Sequence, residues 1–432
     1  MKVLIIGAGP AGYTCAIEFA KNGADVILVE EKNIGGICLN EGCIPTKSLL
    51  YNSKTRKENF SWTSLLDEKN KVISTLKNGV NNLLLHDNIR VISGKAKFIS
   101  TNKIVVNKEI IPFDKAIIAS GSSPIIPDFA KNIKTCMDST DALSLDKLPK
   151  SVCVIGGGVI GCELATLFNN LGIKTTILEA RDEILAGFEK KHVAFLIRKM
   201  KLSGIDIHTS SKVSIIRDSG FSTTVLYQQN DIECKCACDK VLLAIGRKAN
   251  VEGMGLSECN VDVECGVIKT DINFKTTADN IYAIGDCASH YKLAYWGSIQ
   301  AKKLARHIIN GEDCIMPDTI PSCVFTTPEI AKVGQTEAEL QSHKIKCAEL
   351  PFSTNGKAHC IGAAEGYVKI IMDTESHQLL GGHIIGPNAT ELISVLTPLV
   401  MNKCSADILA SSVFAHPTLS EIIIDVVDLL LN

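Results

Sequence analysis

One arrangement occurs twice in this chain: a short apolar strand, a Gly-x-Gly-x-x-Gly turn, a helical run, and a second apolar strand ending in a carboxylate. The first copy is Lys2-Val-Leu-Ile-Ile-Gly7-Ala-Gly9-Pro-Ala-Gly12, closing with Asp25-Val-Ile-Leu-Val-Glu30. The second is Ser151-Val-Cys-Val-Ile-Gly156-Gly-Gly158-Val-Ile-Gly161, closing with Lys174-Thr-Thr-Ile-Leu-Glu179. A lone glycine turn is weak evidence, but in this strand and helix context it specifies a dinucleotide-binding βαβ unit. Each glycine has its own duty. The first allows the sharp turn, the second lets backbone approach a pyrophosphate, and the third lets helix pack on strand. The helix N-terminus then offers free N–H groups and its dipole to phosphate, and Glu30 and Glu179 can accept from a ribose 2′-OH.

The expected fold is therefore α/β, with two Rossmann-like dinucleotide-binding domains. From Pro317 the texture changes: 321–351 and 366–387 read as β-rich, and 390–403, 405–411 and 418–431 as helical. This predicts a C-terminal α+β domain over 316–432. Asn280-Ile-Tyr-Ala-Ile-Gly285-Asp286 reads as a strand returning to the first domain. The expected boundaries are 1–145 with 271–315 for the first domain and 146–270 for the second.

The formal net charge of −2 and the absence of a long basic block argue against nucleic acid as a partner. No apolar run approaches the roughly 18 residues of a membrane span, so no membrane association is expected. Met1-Lys2 passes straight into the first strand, which predicts no targeting peptide and a cytoplasmic protein.

The segment Gly35-Gly36-Ile37-Cys38-Leu39-Asn40-Glu41-Gly42-Cys43-Ile44-Pro45-Thr46-Lys47 supplies the chemistry. Two cysteines in a Gly-rich loop run into a helix directly after the first dinucleotide unit. A dithiol beside a redox cofactor can pass two electrons between a disulfide and that cofactor. Pro45 suits a first helical turn and puts Cys43 at a helix N-terminus, which favours the thiolate. The chain has 17 cysteines, an odd number that cannot pair completely, and most are expected to be reduced and buried. Cys234, Cys236 and Cys238 alternate, which on a strand points all three to one face. No fourth ligand is evident, and no metal site is expected.

These blocks, taken in order with Ala119-Ser-Gly121-Ser, Gly246-Arg247, Val324-Phe-Thr-Thr-Pro-Glu-Ile-Ala-Lys-Val-Gly334 and His416-Pro-Thr-Leu-Ser-Glu421, resemble the flavoprotein disulfide reductases over nearly the whole chain. The His416–Glu421 ending separates the chain from mercuric reductases. The resemblance implies that FAD is held through Gly7, Gly9, Gly12 and Glu30, with Ala96 at the adenine, Asp286 at the ribityl or pyrophosphate side, and Gly121 and Ala294 close by. It implies NAD at Gly156, Gly158, Gly161, Glu179 and Gly246. A carboxylate at Glu179 suits a free 2′-OH and repels the 2′-phosphate of NADP.

By the same resemblance Cys38 exchanges with substrate, Cys43 faces the flavin, and Lys47 pairs with Glu163 near the flavin. His416 and Glu421 form the acid–base dyad of a homodimer, each dyad completing the partner's site. The implied partner is a lipoyl-bearing carrier of a 2-oxoacid dehydrogenase complex, the glycine cleavage system or an acetoin system. Tyr295, Trp296 and Gln300 depart from the family pattern, and the first domain reads as trimmed after residue 50. Two alternatives stay open: a reductase of another low-molecular-weight disulfide, and a non-catalytic flavoprotein subunit.

Overall fold

The computed structural model describes residues 1–55, 61–220, 222–341 and 344–432. The stretch just after residue 50, where trimming is expected, includes 56–60, which lie outside the described residues. The chain divides into two compact units. The first comprises 1–126, 138–147 and 246–316, and the second comprises 127–137, 148–245 and 317–432.

In the first unit a five-stranded parallel sheet runs in the order Ile281–Ala283, Lys115–Ile118, Lys2–Ile6, Asp25–Glu30, Arg90–Ser93. Its strands are near-continuous apolar runs because both faces are covered. On one side Val3, Ile5 and Leu28 pack against Phe19 of the helix Pro10–Lys21 and Leu304 of the helix Ala294–Asn310. On the other side Leu4, Ile6 and Ile27 pack against Phe98 and Ile104 of a three-stranded meander, Lys97–Ser100, Lys103–Val106 and Glu109–Pro112. The helices Cys43–Thr55 and Trp62–His86 pack together. Arg247–Ala249 pairs with Ser122–Pro124 and so keeps the chain from Gly246 onward in this unit. In this partition the chain from Gly246 to Met316 goes with the first unit.

The second unit repeats the parallel sheet, in the order Ile205–His208, Lys174–Leu178, Ser151–Ile155, Lys240–Leu243, Cys136–Met137. Another meander, Ser211–Asp218, Thr223–Gln229 and Ile232–Cys238, shares a core with it through Val225, Tyr227 and Cys238.

The C-terminal part of this unit is an antiparallel sheet in the order Ser322–Val324, Glu329–Gly334, Leu379–Gly386, Tyr367–Asp373, Ile345–Pro351. The helices Ala389–Met401 and Glu421–Leu431 bury Leu396, Ile423 and Val427 in its core. The last helix starts at Glu421 rather than at 418, and the Glu421 side chain folds back to accept from the Thr418 N–H at 2.7 Å. Among the described residues no helix is long and apolar enough to cross a membrane.

Candidate active site

The first turn is built as its glycines predict. Gly7 has φ +101°, and a Cβ on it would fall 2.3 Å from the Ala119 carbonyl oxygen. A Cβ on Gly12 would fall 1.8 Å from the Gly7 carbonyl oxygen, so helix and strand touch there through backbone alone. Gly9 is different. It is the N-cap of Pro10–Lys21, with no side-chain cap among the described residues, and a Cβ there would meet only the Gly36 Cα, at 3.9 Å. An open helix N-terminus with room beside it is what a phosphate requires. The Glu30 carboxylate, at the end of the second strand, accepts from the Ala8 N–H at 2.6 Å and the Lys32 N–H at 2.8 Å.

The cysteine loop is tied to this turn. Gly35 donates its N–H to the Ala8 carbonyl at 2.9 Å. Gly36 then passes so close to Gly9 that a Cβ would fall 2.6 Å from its Cα. From there a short helix, Gly36–Asn40, carries Cys38, and Cys43 opens the helix Cys43–Thr55 with Lys47 one turn on.

Both cysteines are free thiols, Cys38 half-buried and Cys43 exposed. Their side chains are hydrogen-bonded to each other. That bond to Cys43 comes first, and burial second, in pushing the Cys38 thiol far up, against the opposing charge of Lys47. In the reduced pair Cys38 therefore holds its proton more tightly than an ordinary thiol does.

Asp286 sits in the turn Gly285–Cys287 that follows the edge strand Ile281–Ala283. Its carboxylate accepts from the Ser122 hydroxyl at 2.5 Å. Ser122 in turn accepts at its hydroxyl from Arg247 Nε at 2.8 Å and at its carbonyl from an Arg247 terminal nitrogen at 2.6 Å. Burial lowers the Arg247 pKa, and Asp286 opposes that shift.

Sequence reasoning missed three supports of this site. Ser122 and Arg247 form the chain that orients Asp286, and Gln300, one of the departures, is buried and accepts from the Gly285 N–H at 2.8 Å. The signal for Ser122 was its place in Ala-Ser-Gly-Ser. For Gln300 it was a polar residue on the apolar face of a helix. Of the other departures, Trp296 is buried with its ring 5.2 Å from Tyr291, and Tyr295 is exposed. Gly121 (φ +73°) has open space around it, Ala96 is buried between two strands, and Ala294 begins the helix that packs on Pro10–Lys21. All of these lie in the first unit.

The second turn copies the first. Gly156 has φ +108° with a Cβ position 2.4 Å from the Ala244 carbonyl oxygen, and a Cβ on Gly161 would fall 1.9 Å from the Gly156 carbonyl oxygen. Gly158, the N-cap of Val159–Asn170, has nothing within 4 Å of its Cβ position. Glu179 accepts from the Gly157 and Arg181 N–H groups at 2.6 and 2.8 Å. Both turns thus fit a pyrophosphate-bearing dinucleotide by the same test: a tight first and third glycine around an open second one. Gly246 (φ +122°) falls in the first unit, apart from these residues in the partition of the chain. Glu163 is buried on Val159–Asn170, and its carboxylate accepts from the Phe325 N–H at 3.1 Å.

In the C-terminal part, His416 Nδ1 lies 2.9 Å from Glu421 Oε1, with the imidazole 80% exposed. The other carboxylate oxygen takes the Thr418 N–H. That backbone bond first, and the imidazole second, hold the Glu421 carboxyl below its ordinary range. An ionised carboxylate only accepts, so Nδ1 carries the proton and Nε2 is left as a base.

Comparison with known proteins gives the same order of parts. The model for pyridine nucleotide-disulphide oxidoreductases matches residues 1–301, and that for their dimerisation domain matches 320–426. A dihydrolipoyl dehydrogenase of Bacillus subtilis is 36% identical over 98% of this chain and 96% of its own length. One of Geobacillus stearothermophilus is 35% identical over 100% and 96%. Among solved structures, the HOCl-induced flavoprotein disulfide reductase RclA from Escherichia coli aligns over 100% of both chains with a TM-score of 0.93 and 28% identity. With two glycine cradles, a cysteine pair anchored on one of them and a matching C-terminal domain, the chain belongs to the pyridine nucleotide-disulphide oxidoreductase family.

Proposed function

We propose that this protein oxidises a carrier-bound dihydrolipoyl group to the cyclic disulfide, acting as a homodimer with bound FAD and with NAD as final acceptor. The observation that carries this is the hydrogen-bonded Cys38–Cys43 pair, anchored through Gly35 and Gly36 to an open phosphate cradle. The relatives named dihydrolipoyl dehydrogenase, matched end to end, support the choice of substrate.

The reaction begins from the Cys38–Cys43 disulfide. His416 Nε2 takes the proton of one substrate thiol, and Glu421 holds the ring and offsets the imidazolium charge. The thiolate attacks Cys38 Sγ, a mixed disulfide forms, and Cys43 leaves as a thiolate at the N-terminus of its helix. The second substrate thiol displaces Cys38, closing the lipoyl ring and leaving two electrons on the cysteine pair. Cys38 is then the protonated member, in keeping with its raised pKa. When bound, FAD would supply the two-electron acceptor for that dithiol and NAD the final hydride acceptor. Gly7, Gly9, Gly12, Glu30, Ala96, Gly121, Asp286, Ala294 and Lys47 would hold the first cofactor, and Gly156, Gly158, Gly161, Glu179, Glu163 and Gly246 would serve the second.

The His416 imidazole is exposed, and the matched dimerisation domain supports its delivery to a second copy. The lipoyl carrier would approach there, from a 2-oxoacid dehydrogenase, glycine cleavage or acetoin system.

The test is turnover of dihydrolipoamide with NAD against glutathione disulfide with NADPH, together with a Cys38→Ser variant. The expected result is turnover of the first pair alone, and a yellow but inactive variant. Activity only on the second pair would refute the substrate assignment, and an active Cys38→Ser would refute the exchange step.

A further inference from the structure

A second group of thiols lies in the second unit, distinct from Cys38 and Cys43 of the first. Ile232–Cys238 points Cys234, Cys236 and Cys238 toward the shared core of the meander and the parallel sheet. Cys153 lies fully buried on the opposing strand Ser151–Ile155, and its thiol is hydrogen-bonded to those of Cys236 and Cys238. Thr176 sits opposite Cys153 in the parallel register, and its hydroxyl also bonds Cys236. Lys174 lies two positions earlier on the same strand, hence on the same face. Among the described residues no three His, Cys, Asp or Glu side chains are arranged to hold a metal ion.

The two sulfurs are unequal. Cys236 is half-buried and can be reached from solvent, whereas Cys153 cannot. The Cys153 hydrogen bond does most to lower the Cys236 thiol, to about 7, aided by Thr176 and Lys174 and opposed by burial and Asp206. The same bond raises Cys153 well above its ordinary value. One partner is an accessible nucleophile, and the other is a protonated thiol in contact with it.

We propose that Cys236 and Cys153 are a second redox-reactive pair, separate from Cys38 and Cys43, which hydroperoxides convert to a disulfide. The Cys236 thiolate attacks the terminal peroxide oxygen, an S–O bond forms, the O–O bond breaks, and the alkoxide or hydroxide leaves and takes up a proton. Cys153 then gives up its proton and attacks the sulfenic sulfur, the S–S bond forms, and the S–O oxygen leaves as water. Two thiols lose two electrons in total, and one peroxide is reduced to alcohol or water. Because Cys153 lies on the strand that feeds Gly156, the cross-link would tie the second nucleotide turn to the meander.

The test uses the full-length holoprotein and hydrogen peroxide. After treatment, free thiols are alkylated under denaturing conditions and unreduced peptides are mapped by mass spectrometry. The expected product is a linked Cys153–Cys236 peptide, about 2 Da lighter than its two thiols and absent after dithiothreitol. Cys153→Ser should leave Cys236 as a sulfenic acid that dimedone captures. Cys236→Ser should retain turnover and lose the link. Alkylation of Cys236 in untreated protein should show a half-maximal rate near pH 7. Three results would each overturn the proposal: Cys236 still a free thiol after peroxide has oxidised other cysteines, Cys236 paired only with Cys238, or no dimedone adduct in Cys153→Ser.

Discussion

Adding one methyl group at Gly158 and at Gly161 should separate nucleotide binding from folding. At Gly161 an alanine Cβ would stand 1.9 Å from the Gly156 carbonyl oxygen, about 1 Å inside the 3.0 Å limit that real contacts respect. Both atoms belong to backbone, so no side chain can swing away. The helix Val159–Asn170 must retreat from the strand Ser151–Ile155, at an overpacking cost of about 1–3 kcal/mol. At Gly158 the backbone is already at φ −77° and ψ −171°, which any residue adopts, and nothing lies within 4 Å of the added carbon. Gly158→Ala should change stability by less than about 1 kcal/mol. Its methyl would nevertheless occupy the approach that a pyrophosphate needs, and a penalty of about 1–3 kcal/mol there weakens NAD binding roughly 5- to 150-fold. Calorimetric titration with NAD, paired with thermal unfolding, reads both quantities. Gly158→Ala should keep the midpoint and lose affinity, whereas Gly161→Ala should lose both. Unchanged NAD affinity in Gly158→Ala would refute the reading of this turn as a phosphate cradle.

Three further outcomes are expected. His416→Ala should lower kcat for dihydrolipoamide by about 10²- to 10⁴-fold while flavin content stays full, measured by steady-state kinetics and absorbance. Gln300→Leu leaves the buried Gly285 N–H unmatched, so urea unfolding of the flavin-free protein should show a loss of about 1–3 kcal/mol. His383, buried with Nε2 donating to the Gln335 carbonyl, is lowered by burial from 6.5 to about 3. Below pH 6.5 the unfolded chain binds a proton that the folded one refuses. Stability therefore falls as pH drops toward 3, by about 2 kcal/mol between pH 7 and 5, and His383→Gln should flatten that slope in pH-dependent urea melts.

What could be read from sequence was whatever rests on local backbone. The glycine turns demand particular dihedrals and near contacts, and the apolar runs beside them have no alternative to a buried parallel strand. The Cys38–Cys43 spacing and the His416–Glu421 spacing are likewise short enough for the chain itself to enforce. Long-range matters were not readable. The pairing of Arg247–Ala249 with Ser122–Pro124 joins segments that share no local signal. The bond from Gly285 to Gln300 depends on a helix and a turn meeting, and residue by residue Gln300 looked only like a departure. The cysteines of Ile232–Cys238 were read correctly as one strand face, but the strand they face, and hence Cys153, could come only from tertiary structure.

The two turns, compared, explain why the thiols sit where they do. In both copies the loop after the second strand returns to the glycine turn through the same bond. Gly35 donates to the Ala8 carbonyl and Leu185 to the Gly157 carbonyl, each at 2.9 Å and each from a residue of positive φ. Past that shared anchor the copies diverge. In the second, Ile184 fills the space against the turn, and a Cβ on Gly157 would press on it at 2.5 Å. In the first, a Cβ on Gly36 would fall 2.6 Å from the Gly9 Cα, so only a glycine backbone fits there. Only the glycine version allows the chain to cross the cradle and continue into Gly36–Asn40 and Cys43–Thr55, which carry the sulfurs. The same turn geometry thus serves two purposes. A bulky loop closes the second copy into a nucleotide site, whereas a glycine loop in the first makes the cradle the foundation for a thiol pair. Placing a side chain at Gly36 should therefore disturb the reactivity of Cys38 as well as flavin binding, because the two share a single backbone contact.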